Sequence, residues 1–353
     1  MEILVYGAGA VGGYLGGKLA LAGRRVTLVT RPATAAVINR DGLYITEDGR
    51  TQRAPVSAVG ELAEAVAAPT RYDLIILGMK AYDLADALAQ LTPLCPVSAR
   101  VMTTQNGIGV EELVAGRLGA ERTLAGSVTI PISRSDPGHL VVERMGRGLG
   151  IAPVSPNQAT DEWVSLFRAA DINAGACADY QAMKWSKAFL NIMGNATSAI
   201  LNRPPAELYR LRSIFDLEMR MLRETLAVMQ RLGIEVINLP GATARPLART
   251  LSYAPRVLLR MIFTQVIVRG RGDKMPSFHI DLAAGKKRSE VTFHNGAIAT
   301  AGEQTRLPVP VNAALNDTLQ ELCRDPSRRS WFDGRPDRLL AVVRDYEQGK
   351  ENI

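Results

Sequence analysis

Apolar positions follow two rhythms along this chain. In the first third, short unbroken apolar runs alternate with stretches of helical spacing. Glu2–Tyr6 is such a run, stopped by Gly7, and it predicts a buried strand. A glycine-rich turn and a helix through Leu21 follow, ended by Gly23, and then a strand over Arg25–Thr30. Residues 1–31 therefore have the length and order of a strand–helix–strand crossover. Leu74–Gly78 and Arg100–Thr104 read as further strands, with helical spacing at Ala33–Asn39 and Leu84–Leu91. Alternation of this kind predicts a parallel sheet covered by helices.

From Thr123 the texture changes. Thr123–Ser133 and His139–Ile151 are β-rich, separated by the turn pair Pro137-Gly138. After Tyr180 the pattern is helical almost throughout. Helices are expected over Lys184–Leu201, Glu207–Leu232, Ala248–Val268, Ser289–Ala301 and Val311–Leu322. Asp325–Ile353 is charged and reads as a peripheral helix with a frayed end. The expected division is a Rossmann-type α/β domain over 1–178, an all-helical domain over 179–325 and a peripheral tail over 326–353.

Composition narrows the function classes. At 353 residues, with 47% hydrophobic and 22% charged positions, the chain has ordinary globular values and room for two domains. The 42 basic residues exceed the 35 acidic ones by seven, but they are scattered and aromatics are only 5%. A nucleic-acid surface needs a denser basic stripe, so a small anionic ligand is the expected partner. Cys95, Cys177 and Cys323, like His139, His279 and His294, lack metal-ligand spacing. No metal, no disulfide framework and a cytoplasmic setting are expected. Met1–Gly7 has neither a basic segment nor a long apolar one, so no secretory leader is expected there. The apolar run Val257–Val268 is too short to span a bilayer and is expected to be a core or interface helix.

The first turn carries the clearest chemistry. Gly7-Ala8-Gly9-Ala10-Val11-Gly12 is a complete GxGxxG, placed directly after a strand and opening a helix. The three glycines allow the tight turn, the approach of backbone to a pyrophosphate, and close packing of helix on strand. The free N–H groups of the helix start then face an anion. The second strand ends at Arg31, where an NAD site commonly has a carboxylate for the ribose hydroxyls. An arginine there either pairs with a 2′-phosphate, favouring NADP(H), or is a solvated strand-end residue. Lys80 follows the strand Leu74–Leu77 and falls at the carboxyl edge of the sheet, as a cofactor contact or a surface lysine.

Two later patterns are ambiguous as residues alone. Asn106-Gly107 is ordinarily a turn. Lys187, Asn191 and Asn195 are four apart and fall on one face of the expected helix. Such a stripe is either a polar ladder between helices or the wall of a wet substrate cleft. Lys184 lies three residues back, off the i+4 register with Asn191.

Taken with Gln105-Asn106-Gly107-Ile108-Gly109, with Lys184-Trp185-Ser186-Lys187 through Asn195, and with Ser277 through Glu290, the turn and Arg31 resemble the ketopantoate reductase (2-dehydropantoate 2-reductase) family. That family lies within the group with 6-phosphogluconate-dehydrogenase-like C-terminal domains. The four blocks occur in the family's order and span about 280 residues. The resemblance implies NADPH-dependent reduction of a 2-keto acid, most specifically ketopantoate to pantoate. It implies Lys187 as general acid, with Glu290 orienting it or holding a substrate hydroxyl. It implies Asn106 beside nicotinamide and substrate, and Asn191, Asn195, Ser277 and Asp281 as substrate contacts. Three departures stand out: one extra residue between Asp281 and Glu290, Ser289 for a usual Thr, and Thr292 where an Asp is common. Asp281 also reads as a cap or a partner of a basic residue. Leu239–Asp273 fits the family least. Two alternatives are a related opine-type reductase of an imine or another keto acid, and a non-catalytic NADP-binding regulator. The helix of Lys187 holds no His, against the first, and the Lys187/Asn191/Asn195/Glu290 set is intact, against the second. The apolar content of 205–268 leads to the expectation of a homodimer through the helical domain.

Overall fold

The computed structural model describes residues 1–67, 71–270 and 273–349. They form two compact units, Met1–Lys184 with Asn238–Ala242, and Trp185–Ile237 with Thr243–Ile353.

The strands of the first unit, in chain order, are β1 (Glu2–Tyr6), β2 (Arg25–Val29), β3 (Leu43–Glu47), β4 (Arg50–Ala54), β5 (Ser57–Val59), β6 (Leu74–Leu77), β7 (Arg100–Thr103), β8 (Thr123–Val128), β9 (Ile132–Asp136), β10 (His139–Val142), β11 (Leu149–Pro153) and β12 (Ala174–Ala176). Eight of them form one sheet in the order β12-β11-β8-β7-β6-β1-β2-β5. All neighbours from β8 to β5 run parallel, and β11 returns antiparallel to β8. All four residues of β6 and the middle three of β1 are buried, as expected where both faces of a sheet are covered. Its helices are α1 (Ala10–Leu21), α2 (Pro32–Asp41), α3 (Leu62–Val66), α4 (Leu84–Leu91), α5 (Val110–Leu118) and α6 (Asp161–Ala169), and α7 (Tyr180–Ile192) begins in the first unit and ends in the second.

A second sheet, β4-β3-β10-β9, was not legible as such in the sequence. Its β3–β4 hairpin turns at Asp48-Gly49, both at positive φ (47° and 73°). An Asp-Gly pair is the usual signature of that two-residue turn. The sheet packs on the far side of α1, so nine of the helix's twelve residues are buried. A Cβ on Gly16 would lie 2.9 Å from Leu28 and Val5, and one on Gly17 would press on Ile45 and Leu43. Glycines at these two positions let α1 lie close to both sheets. Lys18, buried between them, pairs with Glu47 (2.9 Å) and Asp171 (3.2 Å).

The described residues of the second unit are helical, but in shorter pieces than their periodicity suggests. They are α8 (Ala196–Leu201), α9 (Pro205–Leu208), α10 (Arg212–Arg231), α11 (Arg245–Tyr253), α12 (Arg256–Gly270), α13 (Ser277–Ala283), α14 (Asn295–Thr305), α15 (Pro310–Arg324), α16 (Arg329–Phe332) and α17 (Pro336–Glu347). The expected helix over Lys184–Leu201 is two helices, because Gly194 at φ +63° interrupts it. Pro255 divides the stretch expected over Ala248–Val268, since the residue before a proline is pushed out of the helical region. Glu290–Phe293 is a 3₁₀ turn ahead of α14. The core is α10 against α14 and α15: Met221, Leu222, Val311, Leu315 and Leu319 are fully buried. The carboxylate of Glu224 accepts N–H bonds from Val311 and Asn312 (3.0 Å each), satisfying two donors at the start of α15. Burial pushes the Glu224 carboxyl above its ordinary range, and those bonds hold it back. The short return Asn238–Ala242 belongs to the first unit, where Pro240 O accepts from Thr129 Oγ1 (2.6 Å).

Candidate active site

In the first unit, four loops leave the carboxyl ends of adjacent parallel strands β2, β1, β6 and β7. Sheet order reverses direction at β1, with β6 on one side and β2 on the other, which is where open α/β sheets place ligands. The β1 loop is the GxGxxG turn. Gly7 sits at φ +96°, and a Cβ there would overlap the Met79 backbone and lie 2.8 Å from the Gly78 carbonyl carbon. A Cβ on Gly12 would overlap the Gly7 carbonyl oxygen and reach Val5 at 3.0 Å. Both glycines are thus required by the protein's own packing. Gly9 differs: a Cβ there would meet nothing within 4 Å. Its N–H is used within the turn, donating to Gly7 O (2.8 Å), and its carbonyl accepts from Gly13 (2.9 Å). The open space beside Gly9 adjoins the α1 N-terminus, whose first N–H groups have no carbonyl within the helix. This cradle fits a dinucleotide pyrophosphate, which Ala8, Ala10, Val11 and the glycines would hold.

Arg31 follows β2, exposed, as the residue before α2. Lys80 is half-buried at the start of a short 3₁₀ turn after β6. The β7 loop is tied to the β6 loop through Gln105, whose side chain donates to Leu77 O (2.9 Å) and Met79 Sδ (3.4 Å). Thr104 Oγ1 also donates to Leu77 O (2.7 Å). Asn106 follows, half-buried, ahead of Gly107 at φ +101° and Gly109 at φ +93°.

Lys184 is no surface lysine. Its side chain and that of Glu111 are 3% and 1% exposed, and Nζ lies 2.9 Å from Glu111 Oε1. Nothing in the residue pattern set Lys184 apart from Lys187 except register; the deciding fact is tertiary, since Glu111 faces inward on the first turn of α5.

In the second unit, Lys187 and Asn191 lie one turn apart on α7, both partly exposed. Asn195 is not on that stripe. Beyond the break at Gly194 it is buried, donating through Nδ2 to Asn191 O (3.2 Å) and accepting at Oδ1 from the Phe278 N–H (3.2 Å). The one-face ladder of three is thus corrected to a pair plus a pin: Asn195 ties the end of α7 to the first turn of α13. Ser277, exposed, opens that turn, and Asp281 lies one turn on, half-buried. The break itself is held by Glu218, fully buried, which accepts from Gly194 N–H (2.9 Å), Thr197 Oγ1 (2.6 Å) and Tyr209 OH (2.9 Å). Three donors onto one carboxylate are what make such burial tolerable.

Phe278 packs edge-on against His294 at 5.4 Å, and His294 Nδ1–H donates to Glu290 O (3.0 Å). Because a carbonyl only accepts, Nδ1 carries the proton. Asn191, Asn195, Phe278, His294 and Glu290 therefore form one chain of contacts, with Glu290 itself buried. Among the described residues no cluster of His, Cys, Asp or Glu could hold a metal, and no helix is long and apolar enough to cross a membrane.

The sequence profile described as ketopantoate reductase PanE/ApbA matches residues 3–149, and its C-terminal counterpart matches 179–322. A 2-dehydropantoate 2-reductase of Mesorhizobium japonicum is 31% identical over 66% of this chain and 77% of that protein. The chain belongs to the ketopantoate reductase family. Its members are dinucleotide-dependent oxidoreductases, and this chain is an enzyme of that kind. The crystal structure of a PanE/ApbA family ketopantoate reductase from Ralstonia eutropha JMP134 is similar at TM-score 0.78 and 27% identity, over 93% of this chain and all of that one. A D-mandelate dehydrogenase solved with NADH and anilino(oxo)acetate shares the fold, at TM-score 0.77 and 21% identity over 92% of this chain and 99% of that one. The expected α/β architecture, a Rossmann-like unit followed by a helical one, is that of the family.

Proposed function

We propose that this protein reduces a 2-keto acid with NADPH, and that its preferred reaction is ketopantoate to pantoate, in the cytoplasmic synthesis of pantothenate and coenzyme A. Support for NADPH comes from Arg31. It stands where β2 ends, with no carboxylate between it and Asp41, and offers a planar cation to a 2′-phosphate. Gly7–Gly12 holds the pyrophosphate, with Lys80 and Asn106 as further cofactor contacts. Bound NADPH supplies the hydride to the keto carbon.

The observation that carries the reaction is the pair Lys187 and Asn191, one turn apart on the partly exposed face of α7. As hydride arrives, negative charge grows on the carbonyl oxygen. The Lys187 ammonium stabilises that charge and gives up its proton, leaving the hydroxy acid and a neutral amine that solvent reprotonates. Asn191, with an amide that both donates and accepts, holds the substrate's polar ends together with Asn106, Ser277 and Asp281. Asn195 acts through its hold on the start of α13. Glu290 orients Lys187 or binds a substrate hydroxyl.

Two copies of the chain are proposed to associate through the helical unit, where α12 exposes Val257 (84%) and Met261 (64%). A concentration-independent monomer mass in sedimentation rejects this association. The test of function is NADPH and NADH oxidation across a panel of 2-keto acids including ketopantoate and an aryl keto acid. Fastest turnover with NADPH and ketopantoate is expected. Preference for NADH, or for another keto acid, overturns the specific assignment.

A further inference from the structure

We infer that Lys184 is a positioning residue for Asn106, acting through the Gln105–Asn106 peptide. The inference rests on the proposed role of Asn106 as a contact to nicotinamide and substrate. Lys184 Nζ donates to the carbonyl oxygen of Gln105 at 2.6 Å, the acceptor immediately before the Asn106 nitrogen. The same ammonium is held at 2.9 Å by Glu111 Oε1, which also accepts from Thr103 Oγ1 at 2.6 Å. The cation is therefore fixed from behind by a carboxylate that is fixed in turn by the end of β7.

A buried ion pair is a poor device for stability, since apolar side chains of similar volume commonly do as well or better. What this pair provides is a strong, aimed donor at one carbonyl. Holding that carbonyl fixes the plane of the peptide on which Asn106 begins. The residue after Asn106 is Gly107, at φ +101°, where the backbone gives little stiffness of its own. Gln105 is held at both ends, its side chain by Leu77 O and Met79 Sδ and its carbonyl by Lys184. Asn106 thus leaves a clamped peptide at an angle that Lys184 sets. Lys184 touches no reacting atom in this scheme and is not a catalytic residue.

The test is a mutant cycle that separates positioning from folding. Lys184→Met alone leaves Glu111 buried and unpaired, and its melting temperature should fall. In Lys184→Met/Glu111→Leu no orphan charge remains, and Thr103 Oγ1 keeps an acceptor in Leu124 O (3.3 Å). This double variant should melt near the wild type, yet lose about tenfold in kcat/KM and bind NADPH more weakly, as expected for one charge-assisted bond removed. Combined with Asn106→Ala it should be no worse than Asn106→Ala alone, because both changes remove the same group's placement. Wild-type kinetics and affinity in the double variant overturn the inference, as does a combined loss equal to the product of the separate ones. Should the Met/Leu pair not fold, Lys184→Arg, which keeps the charge but moves the donor, is put through the same cycle with the same criteria. If the wild type turns over no keto acid, the proposed function falls. The cycle read in NADPH affinity by fluorescence titration still decides the role of Lys184.

Discussion

Gly9→Ala should separate cofactor binding from folding in a way its neighbours cannot. Gly9 has φ −77° and ψ −156°, backbone that alanine adopts without strain, and its added methyl meets no protein atom within 4 Å. Two small effects on stability oppose each other. Alanine lowers the freedom of the unfolded chain, stabilising by about 0.4–1 kcal/mol. It is also a poorer N-cap than glycine, by up to about 1 kcal/mol. The melting temperature should therefore move by no more than about 4 °C, at roughly 2–4 °C per kcal/mol for a unit of this size. Binding should respond differently, because the methyl occupies the space beside the helix start that the pyrophosphate needs. Losing one charge-assisted contact there costs about 1.5–3 kcal/mol, or roughly 10- to 150-fold in NADPH affinity. Gly12→Ala is the opposite case, since its methyl meets the Gly7 carbonyl and Val5. It should destabilise by about 1–3 kcal/mol before any ligand is added. Fluorescence titration with NADPH, paired with thermal melts, reads both quantities. Unchanged NADPH affinity in a normally folded Gly9→Ala protein would refute the placement of the pyrophosphate at this turn.

Arg31→Ala should weaken NADPH by about 10-fold or more while leaving NADH nearly unchanged, since the proposed contact is to the 2′-phosphate alone; equal losses for both cofactors in the same titration would remove Arg31 as the source of selectivity. His279, whose Nε2 lies 2.8 Å from Asn202 Oδ1, has its pKa pulled below the ordinary 6.5 by burial, with Arg329 adding to the effect. Its neutral form is favoured in the fold, so its contribution is complete above the unfolded value near 6.5 and is lost as pH falls through the lower folded value. Melts from pH 8 to 5 should show that loss, and His279→Gln should flatten it; an unchanged slope in the variant argues against His279 as its source.

Much of the first unit was legible in residue order because its signals are local. Buried strands such as Leu74–Leu77 read as unbroken apolar runs, and the GxGxxG turn announces both a bend and a ligand. The β3–β4 hairpin carried its own signal, Asp48-Gly49, but β4 is largely exposed and neither strand has an unbroken apolar run to mark it. The helical unit was less legible at its ends. The break after α7 depends on Gly194 adopting a left-handed φ and on Glu218, 24 residues away, receiving its N–H. Periodicity carries no trace of that bond, so Asn195 read as the third member of a stripe. Lys184 failed to stand out for the same reason: its partners Glu111 and Gln105 are more than 70 residues away.

The proposed reduction mechanism centres on Lys187, and the most direct measurement is kcat of Lys187→Ala against the wild type with NADPH and ketopantoate, alongside NADPH affinity. A drop of about 10²–10⁴ in kcat with NADPH affinity within a few-fold of wild type is expected, the usual worth of a general acid. Near-wild-type turnover in a variant that folds and binds NADPH would contradict it, and the proton would have to come from another group.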